Sequence, residues 1–200
     1  MKRKRGYLLS YHRLLGAADP ELLAAYDAFY SRFTLASKTL SGVEKETVWI
    51  ALIVATRARI GTLHFARARK AGMNADAIAD AVALGAACET WDAFVFSRDS
   101  FGKFVSKEKI EKRYLRTFES ARGRTPKALA EIAALVAHAG GRRPEAMALH
   151  LARAFRAGAK RAQVAEALLY CLLHCGGPTM LEATDCWVRT AKRKRIPAPF

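Results

Sequence analysis

Residues 64–83 read HFARARKAGMNADAIADAVA, and residues 150–169 read HLARAFRAGAKRAQVAEALL. The offset is 86 with no gap, and eight of the twenty positions are identical. Five of those eight are Ala in an Ala-rich chain, so the weight rests on His64/His150, Arg67/Arg153 and Gly72/Gly158. Phe65/Leu151, Lys70/Arg156, Ile78/Val164 and Asp80/Glu166 are conservative. Each copy reads as a helix carrying His, a Gly stop, and a second helix opening toward an acid. Two such units constrain the chain to a pseudo-symmetric pair sharing one core.

Composition agrees with a helical answer. Of 200 residues, 39 are Ala, and Leu, Arg, Lys and Glu fill much of the rest. The hydrophobic share is 52%, enough to bury a core. No segment reads as a strand. Asp19-Pro20-Glu21 has the form of a helix start, with a capping carboxylate and Pro at the first position. Ser41-Gly42-Val43-Glu44 has the form of a capping box, and Asn74 of a third cap. Val48 to Ala55 is apolar nearly all round, which belongs in the middle of a bundle or an oligomer. Trp91, Phe94, Phe96, Phe101 and Phe104 read as one aromatic-rich helix packed in a core or a subunit interface. Ser120 to Pro126 reads as a linker, and helices are expected over 127–139, from Pro144 toward Gly158, and from Ala162 to Cys175. The expected organisation is a basic arm over 1–18, a first repeat over 19–121, a second over 122–190, and a basic, mobile tail over 191–200.

Charge is the loudest bulk property, at +16. Lys2-Arg3-Lys4-Arg5 and Lys192-Arg193-Lys194-Arg195 supply part of it; without them 26 bases still face 18 acids. Such a balance suits an anionic small substrate, an anionic surface or nucleic acid. No aromatic residues are interleaved with the bases in the RNA-binding manner, so nucleic acid is the lesser expectation. Cys88, Cys171, Cys175 and Cys186 lie in apolar helical stretches and form no disulfide framework. One helix face bearing Cys171, His174 and Cys175 offers only part of a tetrahedral set, so no metal is expected. No apolar run reaches membrane-spanning length, and Leu8-Leu9 is too short for a signal core, so a reducing cytoplasm is the expected compartment.

The ordered set of residues resembles the carboxymuconolactone decarboxylase and alkylhydroperoxidase D superfamily. In the second repeat, Glu131 lies on Glu-Ile-Ala-Ala-Leu-Val-Ala, His150 follows 19 residues later, and Ala154 and Gly158 complete the spacing. Gln163-Val164-Ala165-Glu166 and Gly176-Gly177-Pro178 come after. The first repeat fits from His64 to Val82, with Glu44 or Glu46 upstream, but lacks the Gly-x-Pro. The resemblance implies an all-α fold, two tandem alkylhydroperoxidase D-like repeats in one bundle, and a homo-oligomer. The peroxidase branch carries Cys-x-x-Cys before the His. Here those positions are Arg57 and Ile60 before His64, and Arg143 and Ala146 before His150. Both copies therefore lack the nucleophilic and resolving thiols that peroxidase chemistry needs.

The decarboxylase branch needs no cysteine, and the second repeat resembles it more closely. The resemblance implies cofactor-independent proton transfer on a small anionic lactone or keto acid. His150 and Glu131, with His64 and Glu46, are the expected acid/base residues, because a carboxylate fixes the tautomer of an imidazole that titrates near neutrality. Arg142, Arg143 or Arg153 is expected to hold the substrate carboxylate. Helical rise puts Glu131 about 12 Å back from one end of a hairpin and His150 about 9 Å along the next helix, so the two can meet. Two alternatives stay open: a hydroperoxide reductase using displaced cysteines, and a non-catalytic scaffold that holds nucleic acid through its basic ends.

Overall fold

The computed structural model describes residues 7–36 and 38–200. The Lys2–Arg5 tetrad of the expected arm lies outside the described residues. Among them every regular element is helical, as the composition requires, and no helix is long and apolar enough to cross a membrane.

The chain divides into two units, Met1–Lys38 and Thr39–Phe200. In the first, α1 (Ser10–Ala18) packs on α2 (Pro20–Tyr30), and a π-helical turn, Ser31–Leu35, follows. Asp19 caps α2 as its sequence demands, accepting from the backbone N–H of Glu21 and Leu22. Residues 10–18 of the expected arm are thus helical, and Tyr11 and Tyr26 join their hydroxyls at 2.7 Å.

The second unit runs α3 (Gly42–Ala55), α4 (Thr62–Lys70), α5 (Ala75–Glu89), α6 (Trp91–Phe101), α7 (Lys107–Ala121), α8 (Lys127–Gly140), α9 (Pro144–Arg156), α10 (Arg161–Cys175) and α11 (Gly177–Lys194). The Ser41–Glu44 capping box opens α3: each side chain accepts from the other residue's backbone N–H. Asn74 caps α5 through Ala77 N–H. Helices α3 and α8 are the two whose sequences are apolar nearly all round, and they form the centre. They pack on each other; α8 also meets α5, α9, α10 and α11. Leu129, Ile132, Leu135 and Val136 of α8 are buried, each worth roughly 1.5–3 kcal/mol of removed apolar surface.

Two helical hairpins result, α3–α4 and α8–α9. In each, the second helix ends on a glycine in the left-handed region, Gly72 at φ +97° and Gly158 at φ +93°, where a Cβ would be strained. The acids that follow brace the opposite hairpin. Asp80 on α5 accepts from the backbone N–H of Arg124, just before α8. Glu166 on α10 accepts from Thr39 and Leu40 N–H, just before α3.

Two expectations are corrected, and one helix stands where the sequence offered no reading. The aromatic helix stops at Phe101; Trp91 is buried, but Phe96, Phe101 and Phe104 are exposed, Phe104 at 86%. Residues 107–121 form a full helix, α7, capped by Ser106. The second basic tetrad is not a mobile tail: α11 runs through Lys194, Arg195 closes it in a left-handed conformation, and Trp187 Nε1–H donates to Pro197 O at 2.8 Å.

Candidate functional site

Glu46 sits one turn inside α3 and His64 in the first turn of α4, and their side chains meet across the hairpin. His64 Nδ1 lies 2.8 Å from Glu46 Oε2. A carboxylate only accepts, so Nδ1 carries the proton and Nε2 keeps its lone pair in the neutral ring. Trp49, one turn beyond Glu46, stacks on His64 at 4.4 Å between centroids and on Tyr170 of α10 at 4.8 Å. Burial holds the His64 imidazole below its ordinary value, against the pull of Glu46; the charges of Arg67 and Lys45 add to the lowering. His64 is the neutral form near pH 7, with 10% of its side chain exposed. Thr56 gives its hydroxyl proton to Leu52 O and so accepts from His174 Nε2–H at 2.7 Å.

The second pair repeats the first contact. His150 Nδ1 on α9 lies 2.7 Å from Glu131 Oε2 on α8. The depths estimated from helical rise therefore match. Arg153, one turn after His150, donates to Glu131 Oε1 at 2.7 Å and to Glu119 on α7 at 2.5 Å. Burial works against the Glu131 anion, yet its bonds to His150 and Arg153 hold its carboxyl below the usual range. Neither Glu131 nor His150 has any exposed surface. On the far side of the ring, Tyr114 OH lies 2.7 Å from His150 Nε2 and 2.7 Å from His138 Nε2.

The three arginines expected to clamp substrate all have carboxylate partners in the chain. Arg153 is on Glu131 and Glu119. Arg143 forms a fork on Asp92, at 2.9 and 2.7 Å, and reaches Glu89 at 2.6 Å. Arg142, the exposed member, donates twice to Glu182. Arg142 and Arg143 line a cavity of about 220 Å³ at the start of α9, with Met147, Thr179, Cys186 and Arg189. Neither His150 nor Glu131 is among the residues lining that cavity.

Sulfur is placed elsewhere. Cys88 is fully buried and its thiol is pushed up to about 12 by burial. Cys171 donates to Val136 O at 3.7 Å; its interaction with Cys175, one turn further along α10, raises Cys171, with burial adding, and lowers Cys175. Cys186 is buried and donates to Pro144 O. Among the described residues no cluster of three or more His, Cys, Asp or Glu could hold a metal ion.

The sequence reading missed Tyr114, His138 and Tyr170. His138 had a signal: it lies seven residues after Glu131, two turns along the same face. Tyr114 had one too, as the middle of Ile110, Tyr114 and Phe118 at i, i+4, i+8.

Residues 20–99 match the model of the Carboxymuconolactone decarboxylase family. The match covers Glu46 and His64, whereas the motif resemblance is closer around Glu131 and His150. No curated protein and no solved structure matches the chain.

Proposed function

With residues 20–99 matching the model of the carboxymuconolactone decarboxylase family, we propose that this chain is a cofactor-independent proton-transfer enzyme acting on a small anionic lactone or keto acid. The observation that carries the reading is the pairing of each imidazole with a glutamate, at 2.8 Å for His64–Glu46 and 2.7 Å for His150–Glu131. The equal roles of Gly72 and Gly158, and the reciprocal bracing by Asp80 and Glu166, support reading the second unit as two copies of one hairpin motif.

His64 is the group that meets substrate. Glu46 holds Nδ1–H, so Nε2 is the base. It takes the proton from carbon beside a carbonyl; the C–H pair moves onto the carbonyl oxygen as an enolate. The imidazolium then returns its proton to the product carbanion. In a decarboxylation the C–C bond breaks instead, carbon dioxide leaves, and the enolate takes its proton from a protonated His64. Glu46 stabilises the imidazolium in either direction, and Arg67 and Lys45 place positive charge near an anionic substrate. Arg142 is the exposed arginine that could take an anion in the cavity at the start of α9 by displacing Glu182, and His64 does not line that cavity. A homo-oligomer remains part of the proposal, supported by the exposed Phe96, Phe101 and Phe104.

The test is deuterium exchange from solvent into a panel of anionic lactones and β-keto acids, followed by proton NMR. The chain should exchange or decarboxylate at least one of them. Conversion of none sinks the assignment.

A second reading, hydroperoxide reduction, has one observation in its favour: Cys171 and Cys175 lie one turn apart on α10, with Cys175 lowered and partly exposed. A Cys175 thiolate would take the distal peroxide oxygen to give a sulfenic acid and an alcohol. Cys171 would then close a disulfide and release water. Consumption of cumene hydroperoxide with one disulfide formed per turnover would favour it over the first.

A further inference from the structure

The cavity at the start of α9 is walled by the beginnings of two helices. Arg143, Pro144 and Met147 come from the start of α9, and Thr179 and Glu182 from the start of α11. Neither N-cap residue, Arg143 or Gly176, bonds a side chain to the free backbone N–H groups of the first turn. The positive ends of two helices, 13 and 18 residues long, therefore border one space. Thr179 adds an independent donor. It is 7% exposed and lines the cavity, and its hydroxyl has no hydrogen-bond partner among the described residues. Thr47, Thr56, Thr117 and Thr184 each give their hydroxyl proton to a carbonyl four residues back in their own helix. Thr179 is the third residue of α11, and the residue four back, Cys175, ends the helix before. A buried hydroxyl without a partner is unfavourable unless something in the cavity bonds to it.

Two arginines stand at the mouth. Arg142 follows the end of α8 in the left-handed region, at φ +55°, a conformation that a non-glycine residue adopts only at a cost. Its guanidinium donates twice to Glu182. Arg189, two turns along α11 from Glu182, forms no ion pair among the described residues, not even with Asp185 one turn before it. The third guanidinium, on Arg143, is held by Glu89 and Asp92. Arg142, Glu182, Asp185 and Arg189 are all exposed, so the cavity opens to solvent between them. Glu182 already sets a carboxylate against the Arg142 fork, where the oxygens of a ligand would lie.

We propose that this cavity binds a small phosphate monoester, whose phosphoryl group takes the place of Glu182 on Arg142. The donors select the class. Two guanidinium forks, a hydroxyl and the free N–H groups of two helix starts surround the space. A carboxylate offers them two oxygens and one charge; a phosphoryl group offers three oxygens and up to two charges. Ala139, Met147 and Ala183 make the remaining wall apolar, which suits the ester group rather than a second anion. The volume, about 220 Å³, is below the roughly 300 Å³ at which pockets for drug-sized ligands begin, so that group is small. His64, Glu46, His150 and Glu131 do not line the cavity. The site therefore goes beyond the proton-transfer reading and does not depend on it.

The test is a titration of the whole chain with phenyl phosphate at pH 7.5 and constant ionic strength, followed by amide ¹H–¹⁵N NMR. Benzoate and inorganic phosphate are the comparisons. Phenyl phosphate should shift the amides of Glu145, Ala146, Gly177 and Thr179 to saturation and bind at least tenfold tighter than benzoate. Inorganic phosphate should shift the same amides with lower affinity. Thr179→Val keeps the shape, removes the hydroxyl, and should weaken phenyl phosphate at least fivefold. Glu182→Gln frees Arg142 and should tighten it at least threefold. Shifts that never saturate, or an affinity unchanged in both variants, would show only the general attraction of anions to a chain of charge +16 and overturn the site. Benzoate binding as tightly as phenyl phosphate overturns the phosphoryl assignment, and inorganic phosphate binding as tightly overturns the ester. If Thr179→Val fails to fold, the wild-type titration and the exposed Glu182→Gln change still decide the matter. Saturable binding in a chain that turns over no lactone or keto acid would sink the enzyme reading and leave this site standing.

Discussion

His64 and His150 each hold a glutamate oxygen on Nδ1, at 2.8 and 2.7 Å, but only His64 has surface left to reach a ligand, 8% against 0%. The same contact is built twice and exposed once. Around His64 the remaining space is shaped by Trp49; around His150 it is filled by Tyr114, His138 and Phe118.

Acid should destabilise the fold early. His64, His138 and His174 all lie below the ordinary 6.5, lowered by burial first. Below pH 6.5 the unfolded chain therefore binds protons that the folded chain refuses, so stability is full above that value and falls as pH drops. Glu131 works in the same direction lower down: its stabilisation is present above the usual 4.5 and is lost beneath it. Thermal melts should show Tm falling by several degrees between pH 7.5 and 5. A Tm that rises over that range contradicts the neutral, buried histidines.

Gly85 fixes how closely α3 and α5 approach. A Cβ there would lie 2.6 Å from the Ala51 carbonyl oxygen and 2.8 Å from Val54 Cβ. Gly85→Ala must part the helices despite its better helix propensity, and should cost about 1–3 kcal/mol. Urea unfolding measures it; an unchanged midpoint would mean the two helices are not in contact there.

Thiol reactivity should be uneven. Cys88, Cys171 and Cys186 are buried, with thiols raised above their ordinary value, while Cys175 is partly exposed and lowered by its interaction with Cys171. Brief iodoacetamide treatment at pH 7.5 followed by peptide mapping should find Cys175 labelled at least tenfold faster than Cys88. Equal labelling would contradict the packing of α5 against α7 around Cys88.

Much of this was legible in the residues. Capping chemistry at Asp19, Ser41 and Asn74 depends on neighbours two or three residues away, so it can be read locally. The His–Glu pairs were legible because a short hairpin fixes the depth of one helix against the next. Helix α7 was not, because eight charged residues surround its three buried ones, Ile110, Tyr114 and Phe118, and the stripe is narrow. With α7 unseen, Tyr114 had no place from which to reach His150, 36 residues away. The partners of the arginines were illegible for a similar reason. Arg143 is paired by Glu89 and Asp92 from the end of α5 and the start of α6, a contact that local pattern does not encode.

The central claim is that a paired imidazole and carboxylate, rather than sulfur, carries the chemistry. The direct measurement is the rate of deuterium exchange or decarboxylation on a converted substrate from the lactone and keto-acid panel, with His64→Gln compared against Cys171→Ser/Cys175→Ser. The account predicts that His64→Gln loses about 100-fold or more, the usual scale of a general base, while the double serine variant keeps the wild-type rate. Full activity in His64→Gln, or its loss in the serine variant, would contradict it.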